Sequence, residues 1–153
     1  MRTLLLFLCA FVVSAGLTFT PFRSDADPPS GLGGGAILSL TVFGGRGGID
    51  RTTTFFNNGD FTIDDRVQAQ FCEGISSRAE SRDLREARRL LRADAQNDAV
   101  FGSLVCCDMF TYIVTTPHGT VTWYANAVFP IDVQDAIDLI DGVDISGAIC
   151  GPA

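Results

Sequence analysis

Residues 110–124 constrain the fold most, because their side chains alternate with the two-residue period of a β-strand. Residues 110–115 and 120–124 both follow this period, and Pro117-His118-Gly119 lies between them. Proline and glycine favour turns, and successive side chains of a strand point to opposite faces of a sheet. The segment therefore predicts a β-hairpin with one face packed under a helix.

The first half of the chain carries three more strand signals. Residues 37–43 and 51–56 are rich in β-branched and apolar side chains, and a glycine-rich segment separates them. Asn57-Asn58-Gly59-Asp60 is typical of a turn, and the third strand begins at Phe61. These segments predict a meander of three antiparallel strands.

Two helices are predicted after the meander. Leu84, Ala87, Leu90 and Leu91 recur at helical spacing in a segment that starts at Ser81, and arginines occupy much of the remaining surface. Either Ser77 or Ser81 is a suitable N-cap, and the arginine-rich face is interpreted as solvated. A last short helix is predicted at residues 131–141. Its predicted inward positions are Val133, Ala136, Ile137 and Ile140.

Together these elements predict an α+β fold. We expect an antiparallel sheet of four to five strands, one main helix and a short C-terminal helix.

The N-terminus predicts export. Arg2 precedes an apolar run from Leu4 to Val13, and Ser14-Ala15-Gly16 supply the small residues of a cleavage site. We expect residues 1–16 to be a signal peptide, the alternative being an uncleaved anchor. Residues 17–36, rich in proline, glycine and serine, are then a flexible linker, and residues 37–150 form a single domain. The expected location is secreted, periplasmic or extracellular, with no membrane association after cleavage.

The charge of the chain disfavours several classes of partner. The sequence has 11 basic residues, all arginine, against 18 acidic ones, and loss of Arg2 leaves ten against 18, a net charge of −8. Phosphate backbones and anionic membranes both require clustered positive charge. We therefore expect neither nucleic acid nor a lipid surface as partner.

Four cysteines remain after signal cleavage: Cys72, Cys106, Cys107 and Cys150. An oxidising compartment favours disulfides, and four cysteines allow three complete pairings. A Cys106–Cys107 bridge would be strained, because neighbouring side chains diverge. We expect one of these two to bond Cys72 and the other to bond Cys150.

Catalytic and metal-binding patterns are weak. His118 is the one histidine and lies in the predicted turn, and Gly-x-Ser-x-Gly is missing. With a single histidine and no Cys-x-x-Cys, a zinc site is disfavoured. Aspartates recur at every third residue from Asp132 to Asp144, but they lack the alternation of a calcium loop and are interpreted as a solvated helix face. We expect no enzyme activity, no metal and no cofactor.

The glycine-rich segment is the candidate interaction site. Its residues are Gly44, Gly45, Arg46, Gly47, Gly48 and Ile49. A phosphate cradle would open a helix, whereas this segment lies between two predicted strands. Two roles fit a bend of this kind: a tight structural bulge, or a contact with a partner.

The order of the motifs resembles that of the emfourin family, small bacterial inhibitors of thermolysin-like metalloproteases. The resemblance covers residues 38–141. The matching positions are Gly44, Gly45, Gly48, Ile49, Asp108, Phe110, Tyr112, Val114, Gly119, Val121 and Trp123. The cysteines depart from the family's pattern.

The resemblance implies that the chain inhibits a secreted metalloprotease by occluding its active site, with the Gly44–Ile49 bend as the candidate surface. The alternative is a non-inhibitory extracellular protein-binding module stabilised by disulfides.

Overall fold

The computed structural model describes residues 35–104 and 109–153 of the chain. Within these ranges the chain forms eight strands and three helices. In chain order they are β1 (Ala36–Gly44), β2 (Ile49–Phe56), β3 (Asp60–Asp65), β4 (Gln70–Ile75), α1 (Arg78–Leu90), α2 (Arg92–Gln96), β5 (Val100–Phe101), β6 (Phe110–Thr116), β7 (Gly119–Tyr124), α3 (Ile131–Asp141) and β8 (Ile149–Pro152).

All the described strands belong to one sheet with the order β5-β7-β6-β1-β2-β3-β4-β8. Neighbouring strands are antiparallel except β5 and β7, which are parallel. The predicted meander is β1–β3 and the predicted hairpin is β6–β7. Because β1 lies between β2 and β6, it joins these two halves of the sheet.

The α+β class broadly fits, but the prediction of four to five strands with one main helix was wrong. The sequence pattern did not reveal β4, β5, β8 or α2. β4 contains Gly74, and a glycine in the middle of a segment disfavours a strand. β8 is short and ends in Gly151-Pro152. In β4 the glycine instead makes room for a neighbour, since a Cβ at Gly74 would collide with the Phe61 ring.

One face of the sheet forms the hydrophobic core. Leu38, Phe55 and Phe61 lie opposite one another across β1, β2 and β3, and all three are buried. α1 packs on β1 and beside α3. The predicted inward face of α3 is confirmed, and its residues join the buried cluster: Val133, Ala136, Ile137 and Ile140.

The other face of the sheet is more polar. Thr41 and Thr52 are paired across β1 and β2, and their hydroxyl groups lie 3.0 Å apart. Thr54 and Thr62 form the neighbouring pair across β2 and β3. All four side chains are partly exposed. The sheet therefore separates an apolar face under the helices from a threonine-rich face.

The N-terminus of α1 is capped by Ser77, which decides between the two predicted serines. The Glu80 N–H donates to the Ser77 hydroxyl, and the Ser77 N–H donates to the Glu80 carboxylate, forming a capping box. Glu80 also accepts a hydrogen bond of 2.9 Å from the Asp144 N–H. The N–H groups of Asp144 and Ser77 hold the pKa of Glu80 below its usual 4.5.

We expect Glu80→Ala to lower the free energy of unfolding by about 1 kcal/mol at pH 7, because it removes the cap partner and the contact with the loop after α3. Chemical denaturation measures this loss, and Glu86→Ala is the matched control, since the Glu86 carboxylate pairs with Arg89 on the exposed face of the same helix. The Glu80 pKa is lower in the folded state, so its stabilisation is present above pH 4.5 and is lost as the pH falls through the folded-state value. Equal effects of the two substitutions would contradict this role.

The disulfide prediction was wrong in its pairing. Cys72 and Cys150 are bonded to each other, not to Cys106 or Cys107. They lie directly opposite in the β4–β8 register, with their Cα atoms 4.0 Å apart. The undetected strand β8 explains the error, because its pairing with β4 brings these two cysteines together.

Several predicted features lie outside the described residues: the signal peptide, the linker up to residue 34, and Cys106, Cys107 and Asp108. Of the helices in the described ranges, none has the length and apolar character needed to span a bilayer.

Candidate functional site

The Gly44–Ile49 bend comprises the last residue of β1, a four-residue turn and the first residue of β2. Gly44 and Ile49 are the last paired residues of the two strands, and residues 45–48 form the turn. The turn is closed by a hydrogen bond of 3.1 Å from the Gly48 N–H to the Gly45 carbonyl oxygen. Arg46, Gly47 and Gly48 are exposed at its tip. The interruption predicted from the glycines is therefore confirmed, as the tip of a hairpin.

Two of the glycines are required by the fold. Gly44, Gly45 and Gly48 have φ angles of 110°, 74° and 61°, which favour glycine, but only at Gly44 and Gly45 is the space for a Cβ also occupied. A Cβ at Gly44 would collide with the Met109 carbonyl oxygen, and one at Gly45 would lie 2.6 Å from the Phe110 ring. Gly47 differs, because it has no positive φ and its Cβ would meet open space. The base of the bend therefore serves the fold, while Gly47 is available to a partner.

Hydrogen bonds fix the start of β2, directly after the bend, to β3 and to the turn between β3 and β4. The Arg51 guanidinium donates a 2.9 Å hydrogen bond to the buried Asp65 carboxylate. The Arg66 N–H donates to the Asp50 carbonyl oxygen at 2.9 Å. Hydrogen bonds from the Gln68 N–H and then from Arg51 hold the pKa of Asp65 below its usual 3.8. The first residues of β2 are thus held at several points.

Exposed apolar side chains surround the bend. Phe43 precedes it and is 38% exposed, Ile49 ends it and is 40% exposed, and Val67 lies in the adjoining β3–β4 turn and is 56% exposed. Exposed apolar side chains around a hairpin tip are available to a partner that surrounds the tip. Phe43 and Val67 were not among the predicted site residues. Strand alternation could have identified Phe43, but the position of Val67 depends on the pairing of β3 with β4.

The remaining candidate residues lie elsewhere. His118 is in the β6–β7 turn, and its N–H donates to the Thr116 hydroxyl at 3.1 Å. Since Gly44 pairs with Phe110 at the opposite end of β6, the histidine is far from the bend. Asp138 accepts a hydrogen bond from Gln134, and Asp144 accepts one from the Ser146 N–H. In the described part of the chain no group of three or more metal-ligating side chains could hold an ion.

No family model matches this chain, and neither a curated protein nor a solved structure matches it.

We expect Gly45→Ala to lower the free energy of unfolding by about 1–3 kcal/mol, because it forces an alanine to positive φ and displaces the Phe110 ring. Gly47→Ala is the matched change two residues away, and it should leave stability unchanged or raise it by up to about 1 kcal/mol. Thermal denaturation of both variants separates the two roles. Similar melting temperatures for the two variants would contradict the assignment of Gly45 to the fold.

Proposed function

We propose that the protein is an exported inhibitor of thermolysin-like metalloproteases that occludes the active-site cleft with the Gly44–Ile49 bend. The observation that carries the proposal is an exposed hairpin tip on a fixed base, flanked by the exposed Phe43, Ile49 and Val67. The resemblance of the motifs to emfourins supplies the class of target.

Occlusion of a protease active site requires an inhibitor surface that fits the cleft and is rigid. A surface that is already in its bound conformation loses little entropy on association. The antiparallel pairing of β1 and β2 up to Gly44 and Ile49, together with the Arg51–Asp65 hydrogen bonds, provides such a support. Gly47 leaves the tip narrow, which suits insertion into a protease cleft.

The flanking apolar residues supply the contact area. Phe43 and Ile49 lie on opposite faces of the hairpin, because their pairs, Phe43–Asp50 and Gly44–Ile49, are adjacent in the register. A partner that surrounds the tip would bury both. Burial of aromatic and aliphatic side chains around a narrow tip is the usual source of affinity in such interfaces.

Export into an oxidising compartment is part of the proposal. The Cys72–Cys150 disulfide supports it, since disulfides persist in secreted and periplasmic proteins and are rare in reducing compartments.

The test is a titration of a thermolysin-like metalloprotease with the oxidised chain from residue 17 onward, using a standard peptide substrate. We expect stoichiometric, saturable inhibition. Gly47→Trp should weaken it by roughly 10- to 100-fold, because the indole fits the free protein but obstructs entry into the cleft.

The matched control is Gly147→Trp. Gly147 also has no positive φ and open space around its Cβ, but it lies in the segment after α3. It should inhibit like the unmodified chain, and both variants should keep its melting temperature. An unaffected protease, or equal inhibition by the two variants, would contradict the proposed mechanism.

The second candidate is a non-inhibitory extracellular protein-binding module stabilised by a disulfide. The exposed Phe43, Ile49 and Val67 favour it as much as they favour inhibition, since any protein partner would bury them. Binding of a partner that Gly47→Trp abolishes, with every tested protease left active, would favour this candidate.

A further inference from the structure

A small cleft lies between the open end of the β6–β7 hairpin, away from its turn, and the C-terminal turn of α3. Its volume is about 220 Å³, and its walls include Tyr112, Trp123, Phe129 and Asp141. Drug-sized ligands occupy roughly 300–1,000 Å³, so this cleft suits one side chain or head group rather than a whole ligand.

Of the four aromatic residues that line the cleft, three have rings packed against one another. The rings of Tyr112 and Trp123 are stacked, with centroids 5.4 Å apart and planes 5° apart. Phe129 meets Trp123 nearly edge-on, at 6.2 Å and 87°. The stacked pair and Phe129 therefore give the cleft an aromatic wall, and aromatic rings are favourable neighbours for cations.

The other side of the cleft is negative. Asp141 is exposed at the last residue of α3, where the helix has no basic residue in its final turn. Unpaired carbonyl groups give a helix C-terminus a partial negative charge. Partial desolvation of the carboxyl group, and then the neighbouring Asp138, raise the pKa of Asp141 above its usual 3.8. Among the described residues no arginine forms an ion pair with Asp141.

We propose that this cleft binds a cationic group, the ammonium or guanidinium head of a partner's side chain or of a small free amine. Asp141 supplies the charge, and the rings of Tyr112, Trp123 and Phe129 contact the alkyl groups next to it. The site is separate from the protease-inhibition proposal, since none of its residues belongs to the Gly44–Ile49 bend.

The negative charge of α3 does not by itself make each of its aspartates a cation site. Asp135 lies on the same helix, but the groove it lines with Glu86 and Arg89 has no aromatic wall. Asp141 is where a carboxylate and a set of aromatic rings meet. This combination distinguishes a cation site from the solvated acidic face expected of α3.

Trp123 is the one tryptophan of the chain, so its fluorescence reports directly on the cleft. The full-length mature chain would be titrated with tetramethylammonium, N-acetyl-lysine amide and N-acetyl-arginine amide, with tert-butyl alcohol as the uncharged comparison. We expect a saturable change with at least one cation and none with the alcohol. Comparing the two amino-acid amides with tetramethylammonium shows whether the cleft prefers the cationic side chain of a partner or a small free amine.

Asp141→Asn should weaken cation binding by roughly tenfold, because the ring contacts remain but the charge is lost. Asp135→Asn, which removes the same charge from the same helix outside the cleft, should leave it unchanged. The indole N–H signal of Trp123 in NMR spectra of the unmodified protein gives a second readout that needs no variant. Unsaturable responses to all three cations, an equal response to the alcohol, or equal weakening by the two variants would overturn the proposal.

Discussion

The structure depends on the burial of one face of an eight-stranded sheet beneath α1 and α3. Leu38, Phe61 and Val114 are fully or almost fully buried on that face, and the helices contribute Leu84 and Val133 to the same cluster. Apolar burial of this kind is the dominant favourable term in folding. Once this face is covered, the other face and the hairpin tips are left for solvent or for partners.

The central strand β1 connects the buried core to the candidate site. β1 pairs with β2 on one side and β6 on the other, so the bend that follows Gly44 starts from the middle of the sheet. Phe110 occupies the space next to Gly45 and its ring lies 6.4 Å from Tyr112, which stacks on Trp123. The bend and the aromatic cleft therefore lie at the same end of the sheet and share one supporting row of rings.

Local pattern predicted the elements that have strong periodicity. The meander, the β6–β7 hairpin and the inward face of α3 could be read from it because their apolar residues repeat regularly. β4 was missed because Gly74 interrupts its pattern, and β8 was missed because it depends on pairing between residues 78 apart, which also brings Cys72 and Cys150 together. The bend was identifiable from its glycines, but the different roles of Gly45 and Gly47 depend on the position of the Phe110 ring. The Asp141 cleft joins three separate segments, which single-sequence periodicity does not connect.

Native-state hydrogen exchange, followed residue by residue, tests whether β1 is the rigid centre of the sheet. We expect the amides of β1 and their partners in β2 and β6 to exchange slowest, through global unfolding, and residues 45–48 and the edge strand β5 to exchange much faster. Slow exchange that begins at Leu38 and continues to Phe43 would place β1 in the middle of the sheet and the bend on a rigid base. Exchange of β1 as fast as that of β5 would contradict both the strand order and the support it gives to the site.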